Sequence, residues 1–230
     1  GSVVRTLATA HRIYQSKPAL AAIQKLGDFL ILAQMPDPQP GWCQQYNYEM
    51  VPIWARKFEP PAITAHESQD VMEALIAIAR ITGEKKYLEP IPKALKYLKT
   101  CMLKDGRVAR FYEFKTNKPL YMNTRYELTY DDSDTPGHYG WKQPAHFDEI
   151  EKELLAVQKG IPSPKAKPIR DGDVQRILKH LDTEGRWLST YDSERLVGQP
   201  KFAKGFRFIS SAVFSENLEL ICAWLAQGKK

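Results

Sequence analysis

The segment Pro52–Pro61 (PIWARKFEPP) sets two cations, Arg56 and Lys57, between aromatic rings. These types suit an acidic sugar, whose carboxylate pairs with a guanidinium while its ring face lies on an aromatic side chain. Proline lacks a backbone donor and pushes the residue before it out of helical space, so Glu59, Pro60 and Pro61 are extended or turn-like. Arg56 and Lys57 therefore sit on a loop. Glu59 is expected to pin that loop by pairing with a basic residue. Nearby, Trp42 and Tyr46 could stack on sugar rings, Trp54 is expected to face the core, and Gln44 and Gln45 carry amides suited to hydroxyls. Further on, Arg110 lies on a strand pattern whose alternation puts Arg110 and Tyr112 on one face and Phe111 on the other.

The elements that must position these residues are mostly helices. Val4, Leu7, Ala8, Ile13 and Tyr14 recur at helical spacing, and Ala19, Ile23, Leu26, Phe29, Leu30 and Ala33 do so again. Pro18 falls in the first turn of that second helix, and Pro36, Pro38 and Pro40 end it. An aromatic, proline-rich loop runs to about Ala65. Thr64 or Ser68 then caps a helix with Val71, Leu75, Ile78 and Ala79 on its apolar face, which stops at Gly83. Another helix is expected from Lys85 to Leu103. A hairpin is expected from Arg107–Tyr112 to Leu120–Tyr121, with a short strand over Tyr126–Tyr130. Helices resume at Pro144–Gln158 and Gly172–Asp182, separated by a linker from Gly160 to Pro168, and a last one covers Ala212–Ala226 with Phe214, Leu218, Ile221 and Leu225 on one face. Repeated helix pairs with long loops at one end predict an all-α fold, an α/α toroid, in one domain over residues 1–230.

Composition narrows the function. The chain has 230 residues, 43% of them hydrophobic, and a formal charge of +6, which favours an acidic partner. Lys and Arg are spread along it without the dense stripe of a nucleic-acid binder. No apolar run approaches the roughly 20 residues that cross a bilayer. Cys43, Cys101 and Cys222 are isolated, without a CxxC pair, and are expected to be free thiols. The five histidines show no metal-ligand spacing, and His66 and His138 are expected to be structural. Gly1-Ser2 looks like a cloning remnant.

The chain resembles the family-10 pectate lyases, calcium-assisted enzymes with an α/α toroid fold. The likeness is carried by Gly41-Trp42-Cys43-Gln44-Gln45-Tyr46, Trp54–Pro61, Glu67-Ser68, Tyr87–Pro92, Arg110–Glu113 and Thr116–Pro119, in that order along the chain. It implies cleavage of α-1,4-linked polygalacturonate by β-elimination, with Arg56 as the base and Arg110 and Arg125 holding substrate carboxylates. Lys57, Trp42, Gln45, Tyr46 and Tyr112 would complete the binding site. It also implies a secreted or periplasmic monomer whose partner is polygalacturonate or another acidic polysaccharide. Two positions depart from the pattern: Lys57 stands for a small residue and His66 for a glycine. The family's calcium-binding aspartates would all precede Val3, so the chain reads as N-terminally truncated relative to the family and its metal ligands are unknown. Asp131, Asp132 and Asp134 offer a substitute, although turn chemistry explains them more simply. The expected function is a pectate lyase weakened or inactivated by that loss. Alternatives are a module that binds acidic oligosaccharides without cleaving them and, last, another toroid enzyme such as an epimerase or glycoside hydrolase.

Overall fold

The computed structural model describes residues 2–162, 168–192 and 202–228. The chain forms two compact units, the first spanning Gly1–Pro162 and the second holding the remainder.

The first unit begins with helices α1 (Ser2–Tyr14) and α2 (Lys17–Leu32). Ser16 caps α2 by accepting from the Ala19 amide, and Pro18 occupies its first turn, where a missing N–H costs nothing. Helix α3 (Ala65–Thr82) is the central element, with Ser68, Gln69, Met72, Leu75, Ile76, Ile78 and Ala79 all buried. It packs against α2 and against α5 (Phe147–Gln158). Gly83 ends it with φ 74°, a left-handed cap that a residue with a Cβ adopts only under strain. The helix expected over Lys85–Leu103 is broken into a 3-10 turn (Lys85–Leu88) and α4 (Ile91–Thr100). Pro90 and Pro92 explain the break, since neither can donate to the preceding turn. Tyr87 is fully buried, and a Cβ on Gly27 would lie 2.4 Å from its ring, so α2 needs glycine there.

The all-α expectation is overturned. Five antiparallel strands, β1 (Trp42–Cys43), β2 (Ile63–Thr64), β4 (Phe111–Tyr112), β5 (Pro119–Met122) and β6 (Leu128–Thr129), form a sheet in the order β1-β2-β4-β5-β6. A separate ribbon pairs β3 (Arg107–Ala109) with β7 (Lys142–Pro144). The unit is therefore mixed α and β, and a toroid of helix pairs does not describe it. Most of these strands have two or three residues, too few to leave a period-two pattern, and several partners are far apart in sequence. The predicted hairpin is present only in part: β4 pairs with β5, whereas β3 leaves for β7.

In the second unit, α6 (Asp171–Lys179) precedes a ribbon of β8 (Ser189–Thr190) and β9 (Arg207–Phe208), and α7 (Ser211–Leu225) follows. The expected inward face of α7 is not buried: Phe214, Leu218 and Leu225 are all exposed. The linker expected from Gly160 to Pro168 lies largely outside the described residues. Among the described residues no helix is long and apolar enough to cross a membrane.

Candidate functional site

The basic loop is a tight turn built on Glu59. The Glu59 amide donates to Arg56 O at 2.9 Å, and the Ala55 amide donates to Glu59 O at 3.2 Å. The Glu59 side chain is 3% exposed and accepts from five donors. These are the Arg56 amide (3.0 Å), Arg56 Nε (2.7 Å), Arg56 Nη2, Gln44 Nε2 (2.9 Å) and the Tyr139 hydroxyl (2.8 Å). Burial by itself raises the carboxyl, but hydrogen bonds from Arg56 and Tyr139 and the guanidinium charge outweigh it and hold Glu59 down at about 2. The same pairing raises Arg56 above the ordinary arginine value, chiefly through its hydrogen bonds to Glu59. The expected loop pin is thus Glu59, and its basic partner is Arg56 itself.

Arg110 reaches the same place from the corner between β3 and β4. Its amide donates to Trp141 O at 2.8 Å and its carbonyl accepts from the Ala65 amide at 3.0 Å. With the backbone fixed on both sides, the side chain bonds Glu67, in the first turn of α3, at 2.5 Å. Tyr139 joins the two arginines. Arg110 Cζ lies 4.4 Å and Arg56 Cζ 5.5 Å from its ring centroid, and Arg56 also lies 4.7 Å from the Phe58 ring. Burial first, and then the hydrogen bond to Glu59, push the Tyr139 phenol up to about 12 despite the lowering effect of Gln44, so it stays protonated and donates. Gln44 ties the cluster together, its Nε2 also lying 3.2 Å from Glu67 Oε1 and 3.2 Å from the Tyr139 hydroxyl.

Three buried polar atoms here have no partner: Gln44 Oε1, Glu67 Oε2 and Arg110 Nε. Buried polar groups in native proteins are nearly always hydrogen-bonded, so orphans concentrated in one cluster set it apart from the rest of the described residues.

The remaining predicted residues divide. Lys57 lies at the edge of the cluster, its Nζ 4.5 Å from the Tyr126 ring, and Tyr126 packs on Phe58. Arg125 is adjacent in sequence, but its side chain is 77% exposed and pairs with Glu127 at 2.9 Å. Tyr112 does not share a face with Arg110. Its hydroxyl is buried, accepting from the Ala109 amide at 2.8 Å and donating to Cys101 O at 2.5 Å. The alternation argument fails because Arg110 stands at a corner between two sheets, outside any strand. Trp42, Gln45 and Tyr46 line a separate cavity beside the cluster. Trp54, expected in the core, is 48% exposed. His138 packs edge-on against Phe58. Sequence reasoning missed Tyr139 and the role of Glu67. Tyr139 sits in a glycine-containing loop with no pattern to single it out, while Glu67 stands out only as part of the Glu67-Ser68 match and as an acid in the first turn of a helix.

The described residues contain no group of three or more His, Cys, Asp or Glu side chains that could hold a metal ion. Asp131 accepts from the Ser133 amide, Asp132 pairs with Lys142, and Asp134 accepts from the Thr124 hydroxyl. These carboxylates are engaged one by one, Asp131 in a turn and the other two with residues ten positions away, which does not fit the six to eight oxygens a calcium ion takes. Cys43 is buried, and burial pushes its thiol up to about 12, so it is no nucleophile.

No family model matches this chain, and no curated sequence does. Among solved structures it is similar to a mutant of a family 10 polysaccharide lyase from Cellvibrio cellulosa, in complex with trigalacturonic acid. The TM-score is 0.53. The likeness covers 69% of this chain and 59% of the lyase, at 16% identity. At that identity the likeness is one of fold.

Proposed function

We propose that the protein binds α-1,4-linked polygalacturonate, or a closely related acidic polysaccharide, at the face made by Arg56, Arg110 and Tyr139, and that it acts there as a pectate lyase. The observation that carries this reading is the two guanidiniums held over one tyrosine ring, with a buried Arg110 N–H still lacking an acceptor. A uronate carboxylate supplies that acceptor, and charge-assisted bonds to arginine are among the stronger polar contacts. The bound trigalacturonic acid of the structural neighbour supports the same class of ligand.

In β-elimination the proton on C5, α to the carboxylate, goes to a base, the C4–O bond breaks, and a C4=C5 double bond forms as the leaving oxygen takes up a proton. Cations at the carboxylate favour this by stabilising the enolate-like charge that develops. Arg110 is built for that task because Glu67 and Tyr139 fix it. The resemblance assigns the base to Arg56. A free arginine is neutral in fewer than about one molecule in 1,000 at pH 9, and the Glu59 pair lowers that fraction further. Cleavage through Arg56 therefore requires substrate to loosen the Glu59 contact, and turnover is slow. The same pairing favours a second reading, in which the face holds acidic oligosaccharide and does not cleave it.

Calorimetry with trigalacturonate compares the wild type with a variant carrying Arg56→Gln and Arg110→Gln. Affinity falls at least about tenfold in the variant and weakens with salt in the wild type. Equal affinities would remove the arginines from the site. A continuous assay for unsaturated product on polygalacturonate then separates the readings. Slow turnover that disappears in Arg56→Ala supports the lyase, and binding with no product supports the module.

A further inference from the structure

The first unit holds a cavity of about 450 Å³ that the arginine reading does not use. Phe29, Leu30 and Val71 give it apolar lining, and the aromatic residues Tyr46 and Trp42, the latter fully buried, also border it. The polar end of each ring is already bonded elsewhere: Trp42 Nε1 donates to Leu30 O at 2.7 Å, and the Tyr46 hydroxyl donates to Ala33 O at 2.7 Å.

At the end of the cavity that adjoins the arginine cluster the unused hydrogen-bonding capacity belongs to acceptors, and the amides of Gln45 and Asn47 line it elsewhere. Gln44 Nε2 faces the Glu59 and Glu67 carboxylates, which only accept, so the orientation of its amide is fixed and Oε1 faces away from them. That oxygen and Glu67 Oε2 are the two orphan acceptors of the cluster, and both residues also line the cavity, together with the exposed Asp70. Acceptors at one end and amides at the other suit a ligand rich in O–H groups, which both donate and accept. A uronate carboxylate brings only further acceptors, and its charge is repelled by Glu67 and Asp70. An uncharged pyranose brings adjacent hydroxyls for the oxygens and a C–H face for the apolar lining, the combination that small-ligand pockets use.

We propose that this cavity is a subsite for an uncharged pyranose residue, adjoining the arginine pair through Gln44 and Glu67. The cavity assignment stands on its own lining; its continuity with an acidic sugar rests on the reading of the arginines given above. Together they describe a protein that takes a polysaccharide in which neutral sugars accompany uronates.

NMR titrations with methyl α-galactopyranoside and with methyl α-galactopyranosiduronate test the two parts separately. The Trp42 indole and Asn47 amide protons report on the cavity, and the Arg56 and Arg110 Nε protons report on the arginines. The neutral glycoside is expected to move the cavity signals saturably. Val71→Trp, which fills the cavity, and Phe29→Ala, which removes part of its lining from an exposed position, each weaken that response, the first by at least about tenfold. The uronate moves the arginine signals in all three proteins. Should Val71→Trp fail to fold, Phe29→Ala decides. The assignment is overturned if the neutral glycoside leaves the cavity signals unmoved at about 50 mM, if the uronate moves them instead, or if the response is undiminished in the folded variants. Uronate failing at the arginines while the neutral glycoside binds would sink the acidic-sugar reading and leave the cavity assignment intact.

Discussion

Glu59→Gln is the most demanding test of the site as described, because one buried carboxylate accepts from five donors. One oxygen takes Gln44, Tyr139 and Arg56 Nη2, and the other takes the Arg56 amide and Nε. Whichever way a glutamine turns, at least two donors meet its NH₂ group. Charge-assisted bonds contribute about 1.5–3 kcal/mol each, but Arg56 is 56% exposed and regains water when released, so the net loss is about 2 kcal/mol. Linkage gives an independent figure. A carboxyl held at about 2 where its ordinary value is 4.5 contributes about 3 kcal/mol at neutral pH, discounted to about 1–2 for the solvent screening of the exposed guanidinium. Because the folded value is depressed, this stability is fully present above pH 4.5 and is lost as pH falls toward 2. Urea unfolding, followed by the Trp42 indole signal so that only the first unit is read, measures both. The variant should be about 2 kcal/mol less stable at pH 7, with the gap more than halved near pH 2 as the wild-type carboxyl protonates. A gap below about 0.5 kcal/mol at pH 7, or one that stays constant with pH, would refute the five-donor description.

Tyr139→Phe keeps the ring and loses the hydroxyl, so it should cost about 1 kcal/mol of stability while trigalacturonate affinity by calorimetry stays within about twofold. Tyr139→Leu removes the platform beneath both guanidiniums, and affinity should drop about fivefold or more. Gly27→Ala forces a Cβ against the buried Tyr87 ring and should lower the urea midpoint by an amount equal to about 2 kcal/mol, a loss that the double variant Gly27→Ala with Tyr87→Leu partly restores.

The helices were legible where burial is one-sided and punctuation is strong. Ser16 and Pro18 open α2, Gly83 closes α3, and the apolar spacing between them sets which face turns inward. Strands of two or three residues were not legible, because their pairing is decided by partners elsewhere in the chain. Trp42 meets Thr64, and Thr64 meets Phe111. The same limit applied to the site. Arg56 and Arg110 could be singled out by type and neighbours, but the shared ring comes from Tyr139, and nothing local to the sequence foretells that meeting. Thr64 shows the limit in small: it stands at the head of α3, yet its hydroxyl donates to Trp42 O at 3.0 Å and does not cap the helix.

Arg110 is held by its backbone between Trp141 and the first residue of α3, and that has a consequence for how the chain could change. The stretch over residues 127–134, which ends short of Tyr139, carries exposed residues such as Glu127 and Asp134 and touches neither of the two backbone bonds that seat Arg110. Its tip could lengthen, shorten or be exchanged for another loop without resetting the arginine. Sequence drift there would alter which polymers can approach while leaving intact the point at which they are gripped, so relatives with different substrates should differ first in this loop and last at Arg110.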